Sequence, residues 1–98
     1  MVAWTFRGVV YAQKSASPAD LQHEAVHVRQ QKRDGLLFYT RYVFRPRWRL
    51  LYEAEAYAVD VRGGNLPLDF AARELASALY LWCCSVEEAR SAILAAMA

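Results

Sequence analysis

Little in this chain points to a membrane, a secretory route or a disordered tail. The longest apolar run, Leu75 to Cys84, is about half of the roughly 20 residues a helix needs to cross a bilayer, so no membrane span is expected. Only two cysteines occur, Cys83 and Cys84, and they are adjacent. Neighbouring cysteines in an apolar helix rarely pair, because the ring they close is strained. A disulfide framework is thereby excluded, and reduced thiols in a cytoplasmic protein are the expectation. Met1 to Val10 lacks a basic segment leading into an apolar run and lacks a small-residue cleavage site, so no signal peptide is expected. Charge of either sign is nearly balanced, twelve basic against ten acidic residues for a net +2, which gives no strong electrostatic pull on nucleic acid. Four glycines and three prolines act as punctuation, and no segment is low in complexity.

What is present is a globular composition, 56% apolar and 13% aromatic over 98 residues. That length supports one domain spanning residues 1–98, with one core and no second lobe, so any cleft should be shallow and open. Met1 to Gln13 is rich in Val, Trp, Tyr and Thr around Arg7-Gly8 and reads as a strand or hairpin. Ser17-Pro18-Ala19-Asp20 is a helix start, with Ser17 as N-cap, Pro18 at the first helical position and Asp20 as the capping-box partner. This helix stops at Asp34-Gly35, with Leu21, Ala25 and Val28 as its apolar packing; Gln30 and Gln31, after His27, either support a ligand or face water, and water is the preferred reading. Leu36 to Phe44 forms a connecting helix ended by Pro46, and Arg47 to Arg62 forms the next, closed by Gly63-Gly64. A turn over Asn65 to Leu68 leads to an apolar helix from Asp69 to Trp82, and Ser85 caps the last helix, to about Ala96. The expected class is α+β but mostly helical, with an N-terminal strand or hairpin and about five helices.

The chemistry concentrates in His23-Glu24-Ala25-Val26-His27, an HExxH pattern in the chain's first helix. Four residues advance a helix by about 400° and roughly 6 Å, so both imidazoles stand on one face, one turn apart. That is the spacing for one zinc ion, which takes imidazole nitrogens at about 2.0–2.1 Å and, in a catalytic site, keeps a position for water. Glu24, about 100° around the helix from His23, is placed to reach that water as general base. Asp60 is a candidate acceptor for the second N–H of a ligating imidazole.

The motif resembles the zincin metallopeptidases. No glycine and third histidine follow His27, so the metzincin extension is absent. Glu53-Ala54-Glu55-Ala56-Tyr57 is similar to the glutamate helix of the gluzincins, and the length to that of the minigluzincins. The resemblance, over roughly residues 9 to 60, implies zinc as cofactor and Glu53 as third ligand, with Tyr57 four residues on, where gluzincins often have Asp. Glu55 competes for the ligand position. Both cannot serve one ion, because two residues separate them by about 200°. The resemblance further implies a peptide or unfolded-protein substrate, held along an edge strand for which Val9 to Gln13 is the candidate. Tyr57, Tyr52, Tyr39 and Arg73 are the candidates for stabilising an oxyanion.

Two other functions fit the same residues. One is a non-catalytic, zinc-stabilised scaffold that acts as a binding module; Glu24 argues against it, because a structural zinc site has four protein ligands and needs no base. The other is a basic helical nucleic-acid binder, drawn from Arg41, Arg45, Arg47 and Arg49 interleaved with Tyr39, Tyr42, Phe44 and Trp48. The small net charge argues against that one.

Overall fold

The structure is a computed structural model that describes residues 3–6, 9–12, 17–77, 80 and 83–98. In chain order these form β1 (Ala3–Phe6), β2 (Val9–Ala12), α1 (Pro18–Asp34), α2 (Leu36–Phe44), α3 (Pro46–Arg62), α4 (Leu68–Leu75) and α5 (Val86–Met97). The α+β expectation is corrected, because the body of the domain is built from helices alone. Among the residues whose burial is described, the core cluster is supplied by α3, α4, α5 and Tyr80. The two four-residue strands pair antiparallel with each other, Ala3 opposite Ala12 and Phe6 opposite Val9, and join no further strand among the described residues. A two-stranded ribbon has too little area to form a layer with its own core. Gln13, the end of the proposed substrate strand, lies outside the described residues.

Helix α1 begins as its sequence dictates. The Ser17 hydroxyl accepts from the Asp20 N–H at 3.2 Å and the Asp20 carboxylate accepts from the Ser17 N–H at 2.8 Å, satisfying two of the donors that a helix start leaves open. The same reciprocal box, built by Ser85 and Glu88, opens α5. Gly35 at φ 59° separates α1 from α2, and Pro46 starts α3 at a position where a missing N–H costs nothing.

Helix α3 is central, touching α1, α2, α4 and α5. On one side it presents Leu50, Ala54 and Ala58, and the two small alanines let Ala71, Ala72 and Leu75 of α4 and Ala89 and Ile93 of α5 approach closely. On the adjoining side, Arg49, Glu53 and Asp60 fall within about 40° of one line along the helix. All three are buried. Glu53 and Asp60 of that stripe meet α1, and Arg49 meets the end of α2.

Three local expectations are corrected. Leu21 is 44% exposed, and Val26, fully buried, is the apolar residue that seats α1. Gln30 and Gln31 do not face water but are buried. The helix expected over Asp69 to Trp82 ends at Leu75, where Ala76 caps it; residues 78, 79, 81 and 82 lie outside the described residues.

Candidate metal centre

Helices α1 and α3 meet along a ladder of polar pairs. His23, His27, Gln30 and Asp34 recur at three- and four-residue intervals and so line one face of α1. In α3 they meet Asp60, Glu53, the Tyr52 carbonyl and the Tyr52 hydroxyl in turn, which sets the two helices antiparallel.

At the centre of the ladder, the Glu53 carboxylate places Oε1 3.0 Å from His27 Nε2 and 3.3 Å from His23 Nε2. One ligand atom from each of these three residues lies within 4.8 Å of the others. A tetrahedral zinc site with bonds of about 2.0–2.1 Å has ligand-to-ligand edges of about 3.3 Å, so the cluster has the dimensions of three corners of such a site.

The far side of each imidazole fixes what the near side can be. His23 Nδ1 lies 2.7 Å from Asp60 Oδ2, an acceptor only, so Nδ1 carries a proton. His27 Nδ1 lies 2.8 Å from Gln30 Oε1. The Gln30 amide admits one orientation, because its nitrogen donates to the Tyr52 carbonyl at 2.8 Å and to Glu55 Oε1 at 3.2 Å. His27 Nδ1 therefore also donates. With both Nδ1 atoms protonated, each neutral ring turns an Nε2 lone pair toward the Glu53 carboxylate, an arrangement that repels unless positive charge lies between them.

The electrostatics favour positive charge there. For His23, burial lowers the pKa, but hydrogen bonds to Asp60 and Glu53 and the charges of both carboxylates outweigh it and raise the value to about 10. His27 is raised also, as the Glu53 charge overcomes burial. Glu53 is held well below the usual carboxylate range because the two imidazoles outweigh the burial that pushes it up. Protons or a cation can meet that demand. Two imidazoles and one carboxylate are the donor set of catalytic zinc, and on this geometry the residues fit the ion. Asp60 Oδ1 is buried and has no hydrogen-bond partner among the described residues.

Other sequence-predicted residues distribute around the cluster. Glu24 is buried, 8% exposed, and its charge reaches the Tyr80 hydroxyl. Glu55 is exposed and accepts from Gln30 on the outer side of the ladder, away from both imidazoles. Tyr57 packs its ring edge-on against His23 at 4.7 Å, while its hydroxyl is engaged by Glu74 at 3.0 Å and by the Tyr80 hydroxyl at 2.8 Å. Burial, followed by the neighbouring Tyr80, raises the Tyr57 phenol above its usual value, so it stays protonated. The Tyr52 hydroxyl donates to Asp34 at 2.6 Å, Tyr39 stacks edge-on against Phe38, and Arg73 is exposed on α4.

The expected open cleft is not what surrounds these groups: Glu53 is 2% and His27 6% exposed. Of the four interleaved arginines, three are committed within the fold. Arg49 is buried against carbonyls of α2, Arg41 lies 4.0 Å over the Trp48 ring, and Arg47 pairs with Glu88 at 2.6 Å.

Of two further contributors to the cluster, Gln30 is weighed in the sequence reading with water preferred for it, and Tyr42 escapes that reading. Gln30 follows His27 by three residues on the same helical face, a signal that was present. Tyr42, which donates its phenol proton to Glu53 Oε2, comes from α2 and gives no such signal. Comparison with protein-family models, curated proteins and solved structures finds no match to this chain.

Proposed function

We propose that this protein is a zinc-dependent peptidase of the gluzincin type, in which His23, His27 and Glu53 hold the metal and Glu24 is the general base. The reading is carried by the committed Nδ1 atoms of both histidines, which leave the two Nε2 atoms converging on one carboxylate oxygen, where a cation can take the place of their protons. Zinc, when bound, supplies the Lewis acidity that brings the pKa of a water toward about 7 and polarises a carbonyl. Glu24 accepts the proton of the attacking water and returns it to the departing amine. Asp60 and Gln30 keep the imidazoles in the ligating tautomer and orientation. The substrate class is an extended peptide or unfolded chain.

Burial supports a second reading, in which the ion ties α1 to α3 in a binding scaffold that hydrolyses nothing. Glu24 separates the two. Replacing His23 or His27 with Ala should remove stoichiometric zinc from purified protein, whereas Glu24→Gln should keep it and lose peptide cleavage by at least about 100-fold. Elemental analysis and a fluorogenic peptide assay read both quantities. Wild type that holds zinc and cleaves nothing across a broad peptide mixture would leave the scaffold reading standing, and wild type without zinc would remove both.

A further inference from the structure

The third ligand has two oxygens, and the fold treats them differently. Glu53 Oε1 faces the two Nε2 atoms, while Oε2 accepts the Tyr42 phenol proton. Tyr42 is held in place from two directions. Its ring stacks on Phe38 at 5.5 Å and 25°, and Phe38 in turn packs against the His27 ring at 6.4 Å. Its carbonyl accepts from Arg49 Nε at 2.7 Å, and the Val43 carbonyl accepts from Arg49 Nη2 at 2.7 Å. Arg49 and Glu53 are four residues apart, one turn of the same face of α3, so the residue that clamps the end of α2 and the residue that ligates move as one body.

We infer that Tyr42 is a positioning residue that confines Glu53 to ligation through one oxygen and thereby fits the centre to a small four-coordinate ion over larger oxygen-seeking cations. This rests on the zinc reading of the same centre. A carboxylate whose second oxygen accepts from an O–H donor held in place is turned toward that donor, so ligation through both oxygens competes with the hydrogen bond. Calcium-sized cations gather six to eight oxygen ligands and use bidentate carboxylates freely, whereas zinc is content with four ligands. Removing the hydroxyl frees Oε2, and the centre can then rise in coordination number.

The test uses full-length protein loaded with Co2+ as a spectroscopic substitute, together with zinc competition against a chromophoric chelator. Wild type should show the intense visible bands of four-coordinate cobalt. Tyr42→Phe, which keeps the ring stacked on Phe38, should show weaker bands of a higher coordination number, a zinc affinity reduced about 10–100-fold, and a smaller preference for Zn2+ over Mn2+ and Ca2+. Tyr52→Phe removes a comparable hydroxyl that bonds Asp34 outside the centre, and should leave spectrum and preference unchanged. Tyr42→Phe with the spectrum and affinity of wild type overturns the assignment to Tyr42 while leaving the zinc centre intact. Should Tyr42→Phe not fold, wild-type cobalt bands of five- or six-coordinate form would overturn it alone. Wild type that binds neither cobalt nor zinc overturns the centre and the inference together.

Discussion

Gln30 shows how much a single buried amide decides at this centre. It is fully buried, and its carbonyl and amino ends are both used, the first by His27 and the second by Tyr52 and Glu55. Gln30→Leu preserves much of the volume but leaves His27 Nδ1 without its partner, while the Tyr52 carbonyl keeps the N–H of its own helix. One unsatisfied buried group costs about 1–3 kcal/mol, so urea unfolding should show a loss of at least about 1 kcal/mol. Zinc affinity should fall about 10–100-fold in the same variant, because the His27 ring loses the bond that selects its tautomer. Retention of wild-type affinity would mean that His27 is oriented by something else. Glutamine reads as a surface residue by composition, which is why its side chain looked destined for water. The three-residue step from His27 was the better guide.

At the scale of elements, the helix starts and stops were legible and the contacts between helices were not. Ser17, Pro18 and Asp20 at one start and Ser85 and Glu88 at another are local chemistry, satisfied by groups three residues away. The end of α3 is of the same kind. Gly64 at φ 75° lets its N–H reach the Val61 carbonyl at 3.0 Å and the Asn65 N–H reach the Asp60 carbonyl at 2.9 Å, the paired bonds of a left-handed helix stop. A Cβ at Gly64 would meet nothing within 4 Å, so Gly64→Ala should cost only the backbone term, about 1 kcal/mol. In a chain of this size that lowers Tm by about 4–8 °C, and zinc stoichiometry should not change. A Tm drop much larger than this in differential scanning fluorimetry would place a steric clash where there is space. Tyr42 and Arg49 were invisible to the same local reasoning, since their partners stand 11 residues away for Tyr42 to Glu53 and 31 for Arg49 to Tyr80. The α+β expectation failed for a related reason. Aromatic and β-branched residues at the start of the chain do favour extended backbone, but strand propensity says nothing about whether a sheet becomes a layer of the core.

Across the whole molecule the apolar core and the candidate metal centre lie on adjoining sides of α3. The core cluster joins α3 to α4 and α5, and no residue of α1 or α2 belongs to it. The buried residues of α1 are Glu24, Val26, His27, Gln30 and Gln31, so a single aliphatic side chain accompanies four polar ones at its interface. Without a metal ion only protons offset the convergent groups there, and among the described residues α1 adds little buried hydrophobic area. Metal removal should therefore loosen one half of the protein more than the other. At free zinc about 100 times Kd the ion contributes about 2.7 kcal/mol, which for a domain near 100 residues corresponds to a Tm decrease of about 10–20 °C on chelation. Amide hydrogen exchange, measured with and without a strong chelator, should accelerate over Pro18–Asp34 and Leu36–Phe44 while Val86–Met97 changes far less. Returning one equivalent of zinc should restore both Tm and protection. Equal acceleration in all five helices would instead mean that the polar face of α1 and the apolar core unfold as one unit, and an unchanged pattern would mean that no ion joins α1 to α3.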